Sequence, residues 1–562
     1  MLARLTSGVM WALLLTTAAQ AEIRLPAIFS DHMVLQAGAP VPVWGMAAPA
    51  MQMTVRFAGQ EVRAMADQNG YWNVQLKPLD PSSAASEMTI GEADPHGSVA
   101  SVLVIHDVLV GEVWVGAGQS NMGFGLNSME GKEKVLATAG NPQLRLFTVK
   151  HMTAAEPIGL RPGEVLGNVY GSWELSDEKT AANFSAVAYL FGEELQRSLD
   201  LPVGMISDNW GGTPIQTWMS LTAFASEPIF GKYVDEYHAA NALHQKLSAE
   251  PQVQANYVAA DKQWQSEVGD KLNAKMKVWN AAKTAGSDPG PRPIGSRPEP
   301  KNPDPTGVPL GGYRPGSPGI SWNAMFQPIA QYAIKGALWY QGEANVSGYR
   351  EYGGLLRAMI ADWRHAWHEP DMEFLVVQLP ALGENGGKTR NLAHMREQQA
   401  TVLSLPHTGL AVTYDVGDPG NVHPASKIAV AHRLTLLARA KAYGESVAPT
   451  GPIMQSVQPD GSKLRVTFAG IGGKLVIGQT PWVASDTTQF PSDKLIGFEI
   501  AGDDGIYHDA VANFDGNSVI LSAESVPAPK FVRYAWDESP RANLYDSSGL
   551  PAAPFRNDRR PD

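Results

Sequence analysis

The sequence predicts an α/β fold, a parallel sheet covered by helices on both faces, flanked by N- and C-terminal β-sandwich-like modules. Three observations predict it. From about residue 107 to 446, short apolar strands alternate with helical segments of roughly 10–20 residues, the rhythm of a parallel sheet. On either side, residues 22–106 and 447–548 hold short, turn-bounded apolar runs without a long helical period. The 55 glycines and 41 prolines among 562 residues point to many turns and strands rather than a helical bundle.

In chain order, residues 1–21 read as a secretory signal. Arg4 is their only charge, Gly8 to Thr16 is a short apolar core, and Ala19-Gln20-Ala21 offers a cleavage site. The apolar run is too short to span a bilayer, so an exported protein, periplasmic or extracellular, without membrane insertion is expected. In the N-terminal module, Pro40–Gly45, Met53–Gly59 and Tyr71–Leu76 are strand-like. The α/β region opens with Val108–Val110 and Val113–Val115. It continues with strands at Val203–Ser207, Ala333–Tyr340, Glu373–Leu379 and Gly409–Asp415. Helices are expected at Phe184–Arg197, Tyr352–His365, Leu392–Leu403 and Ala425–Tyr443. A helical stretch over 246–284 and a Pro/Gly-rich stretch over 286–319 interrupt this rhythm. They read as one insertion at about 230–320, a surface excursion in preference to a lid. After 447 the strands return, and a tail of low complexity follows from 549.

Composition excludes several classes of function. Apolar residues are 44% and charged residues 18%, which excludes wholesale disorder. A net charge of -12 argues against nucleic acid or an anionic membrane as the main partner. With no cysteine, disulfides, thiol nucleophiles and zinc–thiolate sites are absent.

In an open α/β sheet, function sits beyond the carboxyl ends of the strands. Four segments lie there. Gly118-Gln119-Ser120-Asn121-Met122 places a serine at a strand-to-helix junction, able to present its hydroxyl; the alternative is a helix cap. Asn209-Trp210-Gly211-Gly212-Thr213-Pro214 offers unblocked backbone N–H groups, or merely a tight turn. Trp339-Tyr340-Gln341-Gly342-Glu343-Ala344-Asn345 brings an amide and a carboxylate, or a polar capping loop. In Asp415–Pro424, His423 is fixed by a following proline and is suited to act as general base to a serine. The G-x-S-x-G elbow of α/β-hydrolases occurs nowhere in the chain.

Together these blocks resemble the SGNH-hydrolase superfamily and, more closely, the sialate O-acetylesterase family of secreted carbohydrate esterases. The resemblance rests on GEVWVGAGQSNM (111–122), NWGGTPIQTW (209–218), WNAMFQP (322–328), WYQGEAN (339–345), and HPASK with AHRL (423–434), together with FSDHMVLQ and VPVWG (29–45). It implies an SGNH-type three-layer α/β/α domain with Ser120 as nucleophile and His423 as general base. It implies an oxyanion hole from the N–H groups of Ser120 and Gly212 and the side chain of Gln341. Asn121, Glu343, Asn345 and Asn323 would support the site or touch substrate. The substrate would be an O-acetylated sugar, sialic acid first, with acetylxylan or another plant polysaccharide as the alternative and a non-catalytic glycan-binding protein as the second. No metal or other cofactor is implied, and the oligomeric state is not readable.

The acid of the triad departs from the family pattern. The positions two and three residues before the histidine are Asn421 and Gly420, where related esterases carry aspartate. Asp418 is the preferred substitute; Asp415, or a dyad without an acid, are the alternatives. Three further groups read as structural. They are His365 with His368, which lack a third metal ligand; Asp503-Asp504-Gly505, a turn; and Trp44 and Trp72, packing residues before glycan platforms.

Overall fold

The computed structural model describes residues 23–93, 99–158, 170–284, 290–291, 293, 315–383, 390–478 and 493–558. The signal segment, most of the Pro/Gly-rich stretch and the last four residues of the tail lie outside these. The chain is a mixed α/β protein with a central, mostly parallel sheet and additional β-sheets at both ends.

The central sheet holds β1 (Val99–Gly118), β2 (Leu144–Thr148), β3 (Trp173–Leu175), β4 (Val203–Asn209), β5 (Gly336–Tyr340), β6 (Glu373–Val377) and β7 (Thr408–Ala411). Their order is β7-β6-β5-β1-β4-β2-β3, and all pairings are parallel except β2 with β3. Strands β4 to β7 are apolar and buried almost throughout, as expected of strands covered on both faces. Helices α1 (Ala186–Leu199) and α5 (Ile428–Lys441) cover one face. On that side a methyl group at Gly116 would meet Ala188, and one at Gly409 would meet Leu437. The other face carries α3 (Tyr349–Trp367), which follows the insertion helix α2 (Gly231–Ser248) in chain order and packs against α4 (Asn391–Ala400). Trp363 of α3 packs on Trp339 of β5 and Phe374 of β6, both with ring centroids 5.6 Å away.

Strand β1 is the spine of the molecule. It runs unbroken through residue 106, pairing first with Ser82–Ala93 in the N-terminal antiparallel sheet and then with β4 and β5. Asp107, at the point where the sequence changes rhythm, has φ +54° and is held by Arg145 Nη1 at 2.6 Å. One hydrophobic core therefore joins the N-terminal region to the α/β region, and Trp44 and Trp72 are buried in it, not displayed to a glycan.

The C-terminal strands have a core of their own. Two four-stranded antiparallel sheets enclose Val466, Ile500, Val519 and Val532, and the α/β region contributes Val412 and Tyr414 to it. The acidic cluster near 503 is a turn, with Asp503 paired to Lys530 and Asp504 accepting the Ile506 N–H. His365 lies in α3 and His368 caps it; among the described residues no three groups are placed to hold a metal ion.

Candidate active site

The parallel register assembles the site. Gly118, the last residue of β1, lies opposite Asn209 on β4 and Tyr340 on β5, so the loops after all three strands leave the sheet side by side. Gly118 is required here. Its φ is +138°, and a Cβ would fall 2.2 Å from the Tyr340 carbonyl oxygen. The chain turns sharply after it, and Ser120 emerges partly exposed, with its Oγ 2.8 Å from His423 Nε2. A hydroxyl at this distance from an imidazole nitrogen can pass it a proton.

His423 reaches this point from a loop, not from a strand. Asn421 clamps it from both sides: its Oδ1 accepts the His423 N–H (3.0 Å) and its Nδ2 donates to the His423 carbonyl (2.9 Å). Burial lowers the imidazole pKa, and the charge of Lys427 lowers it further. Asp418, the expected acid, is exposed and accepts the Gly420 N–H, and among the described residues no carboxylate reaches His423. Asp415 is buried elsewhere, with both oxygens on the Arg433 guanidinium (2.6 and 2.7 Å) and one also accepting the Tyr545 hydroxyl (2.7 Å). It ties the loop to the C-terminal sheets.

The Asn209–Pro214 loop lies beside the serine. Gly211 packs against Ser120, with the two Cβ positions 3.4 Å apart, and Gly212 follows with φ +76°, a conformation open to glycine. Among the described residues the N–H groups of Ser120 and Gly212 have no acceptor. Gln341 was expected as a third donor, but its amide faces inward. Its Nε2 donates to the Thr213 carbonyl (3.2 Å), Gln119 Oε1 (3.1 Å) and Asn345 Oδ1 (2.8 Å), and its Oε1 accepts the Tyr352 hydroxyl. The residue is 0% exposed and welds the three loops together. Asn345 extends the weld by accepting the Ile215 N–H and donating to Gln216. Asn323 instead supports the 154–158 segment.

Beneath the serine lies a buried polar network. Asn121 Nδ2 donates to Glu343 Oε1 (2.5 Å) and to the carbonyl of Val422 (2.9 Å), next to His423. Lys427 Nζ donates to Asn121 Oδ1 (2.7 Å). Burial raises the Glu343 carboxyl, and burial pulls the Lys427 ammonium down to about 7, with Glu343 opposing. Lys427 stands in the HPASK segment, yet nothing local in the sequence marks it as buried. The same holds for Gln119, whose Oε1 gathers Gln341 and the N–H groups of Gly342 and Ala344. Beside Gly212 opens a cavity of about 650 Å³, lined by Trp210, Pro214, Glu236 and Leu243 of α2, and Pro315. The inserted helix thus borders the site, where the sequence suggested a surface excursion.

Comparison with known proteins gives the following similarities. Residues 322–438 match the family described as carbohydrate esterase, sialic acid-specific acetylesterase, a stretch holding Gln341, Glu343, His423 and Lys427. The chain is 27% identical to mouse sialate O-acetylesterase over 473 residues (77% of this chain, 76% of the relative). It is 26% identical to the human enzyme over 484 residues (80% and 76%). A crystal structure described as a novel carbohydrate acetylesterase from Xanthomonas citri superposes with a TM-score of 0.72 at 28% identity, covering 96% of this chain and all of that one. The chain is an esterase, similar over most of its length to the sialate O-acetylesterases and to a carbohydrate acetylesterase.

Proposed function

We propose that the protein is an exported serine esterase of SGNH type that removes O-acetyl groups from carbohydrate through an acetyl-serine intermediate. The observation that carries this reading is the 2.8 Å contact between Ser120 Oγ and His423 Nε2. Ser120 Oγ attacks the acetyl carbon while His423 Nε2 takes its proton. The carbonyl oxygen becomes an oxyanion and accepts hydrogen bonds from the N–H groups of Ser120 and Gly212, each such donor being worth about 10²–10³ in turnover. As the intermediate collapses, the bond from the acetyl carbon to the sugar oxygen breaks and His423 returns the proton to that oxygen. Water then attacks the acetyl-serine, His423 takes its proton and passes it to Ser120 Oγ, and acetate leaves.

In this reading Gln341, Asn345 and Gln119 hold the loops in place, and the dyad works without a carboxylate on the imidazole. The leaving sugar would occupy the cavity beside Gly212, where Trp210, stacked on His151 at 4.4 Å, offers an apolar wall. O-acetylated sialic acid is the first substrate to test, because the curated relatives carry that name; acetylated xylan is the second. Export rests on residues 1–21, and an N-terminus at Glu22 in the secreted protein is its check.

The decisive experiment is hydrolysis of an aryl acetate by the wild type and Ser120→Ala. A loss of about 10³-fold or more is expected. An inert wild type, or a fully active alanine variant, would overturn the mechanism. Acetate release from O-acetylated sialic acid against acetylated xylan then assigns the substrate.

A further inference from the structure

Lys427 has no part in the steps above, yet it is 0% exposed, beneath the reacting pair. A buried ammonium is costly unless it is paired and hydrogen-bonded. Its ammonium donates to Asn121 Oδ1 (2.7 Å), and its flanks are aromatic: Phe124 at 4.8 Å and Tyr340 at 5.6 Å from Nζ to ring centroid. Asn121 in turn holds the Val422 carbonyl, so lysine, asparagine and the histidine loop form one chain of contacts beginning one residue after Ser120.

We propose that Lys427 is a positioning residue for ester hydrolysis: through Asn121 it fixes the loop carrying His423, and its buried positive charge favours the neutral imidazole that the base must be. This rests on the Ser120–His423 reading above.

The groups around the pair support that assignment. His423 faces Ser120 from the turn after β1 and Lys427 from the segment before α5; Asp418, on its own loop, is bound to the Gly420 N–H. Lys427 faces Glu343 and Tyr340 from beyond β5, and Asn121 and Phe124 from beyond β1. In a triad, a carboxylate stabilises the imidazolium; here the neighbouring charge is positive and acts the other way. Burial brings the lysine down to about 7 and lowers the imidazole as well, and Glu343 opposes the loss of the lysine's charge.

The test is the pH profile of kcat/KM for an aryl acetate, whose acid limb reports the free enzyme's base. The wild-type limb is expected below 6.5, the ordinary histidine value, and a limb at or above it overturns the proposal whatever the variants do. Lys427→Gln keeps a donor for Asn121 and removes the charge, so its limb is expected to rise by about 0.5–1 pH unit, the size of one partly screened charge. Lys427→Arg keeps the charge and should leave the limb in place. A Lys427→Gln enzyme that is slower at every pH with an unmoved limb reduces the lysine to a structural part and overturns the proposal. A Ser120→Ala variant that stays active would instead sink the dyad itself, so the two failures are distinguishable.

Discussion

The two halves of the proposed reacting pair are held by different means. Ser120 follows the central strand of a parallel sheet, and its place is set by main-chain register with β4 and β5 on both sides. His423 sits on a loop that begins beyond the end of β7, and its place is set by side chains: Asn421, Asn121 reaching Val422, and Asp415 anchoring the loop base to Arg433 and Tyr545. Backbone ladders tolerate side-chain change and fail when the backbone is obstructed. Side-chain clamps fail one residue at a time. The proposed nucleophile, Ser120, should therefore be robust to most substitutions around it, and the proposed base, His423, fragile to specific ones.

The sharpest way to break this contrast is Gly118→Ala. Its Cβ has no space beside the Tyr340 carbonyl and its backbone is in a region L-residues avoid, so β1 and β5 must part. We expect a destabilisation of about 3–5 kcal/mol in chemical denaturation. A loss of turnover of about 10²-fold in the surviving folded fraction is also expected, because the serine moves relative to its base. Near-normal stability and rate would show that the register does not set the serine's position. Next in size is Asp415→Asn. It leaves the buried Arg433 guanidinium without its carboxylate, an effect of about 3 kcal/mol on stability. Turnover should fall more than for an equally destabilising change in the C-terminal sheets, because the loop base loosens. Equal turnover at equal loss of stability would detach the C-terminal region from the base.

The same contrast explains what was legible in the sequence. Strands buried on both faces announce themselves as apolar runs, so β4 to β7 and the loops beyond them could be placed, and the Ser120, Gly212 and His423 segments with them. Side-chain direction was not legible. Gln341 reads as a free donor, but its partner Gln119 lies 222 positions away, and only the assembled fold turns the amide inward. The burial of Lys427 is hidden for the same reason, since Asn121 is 306 positions away. The continuity of β1 was hidden because Asp107 and Gly111 look like strand punctuation. In the fold, Arg145 holds the first, and the second gives way to a close approach by the Pro202 carbonyl. The helical stretch over 246–284 could be recognised, whereas α2 (Gly231–Ser248) lies mostly before it, and its contact with the Gly212 cavity depends on where the chain returns near Pro315.

The smallest expected effect falls on the residue that sequence pattern favoured most for the acid. Asp418 is exposed, and its carboxylate closes a local turn on the Gly420 N–H. Asp418→Asn preserves an oxygen that can accept that bond, so turnover should stay within about 3-fold of wild type, whereas a triad acid lost to asparagine costs about 10⁴-fold. If the base were a conventional triad histidine with Asp418 swinging in during catalysis, the variant would collapse and take the acid limb of the profile with it. A near-normal rate leaves a base fixed by the Asn421 clamp and the Asn121–Val422 contact, with no carboxylate to stabilise its protonated form. Such a base is intrinsically weaker than that of a triad, and the enzyme would then rely on the donors at Ser120 and Gly212 for most of its rate.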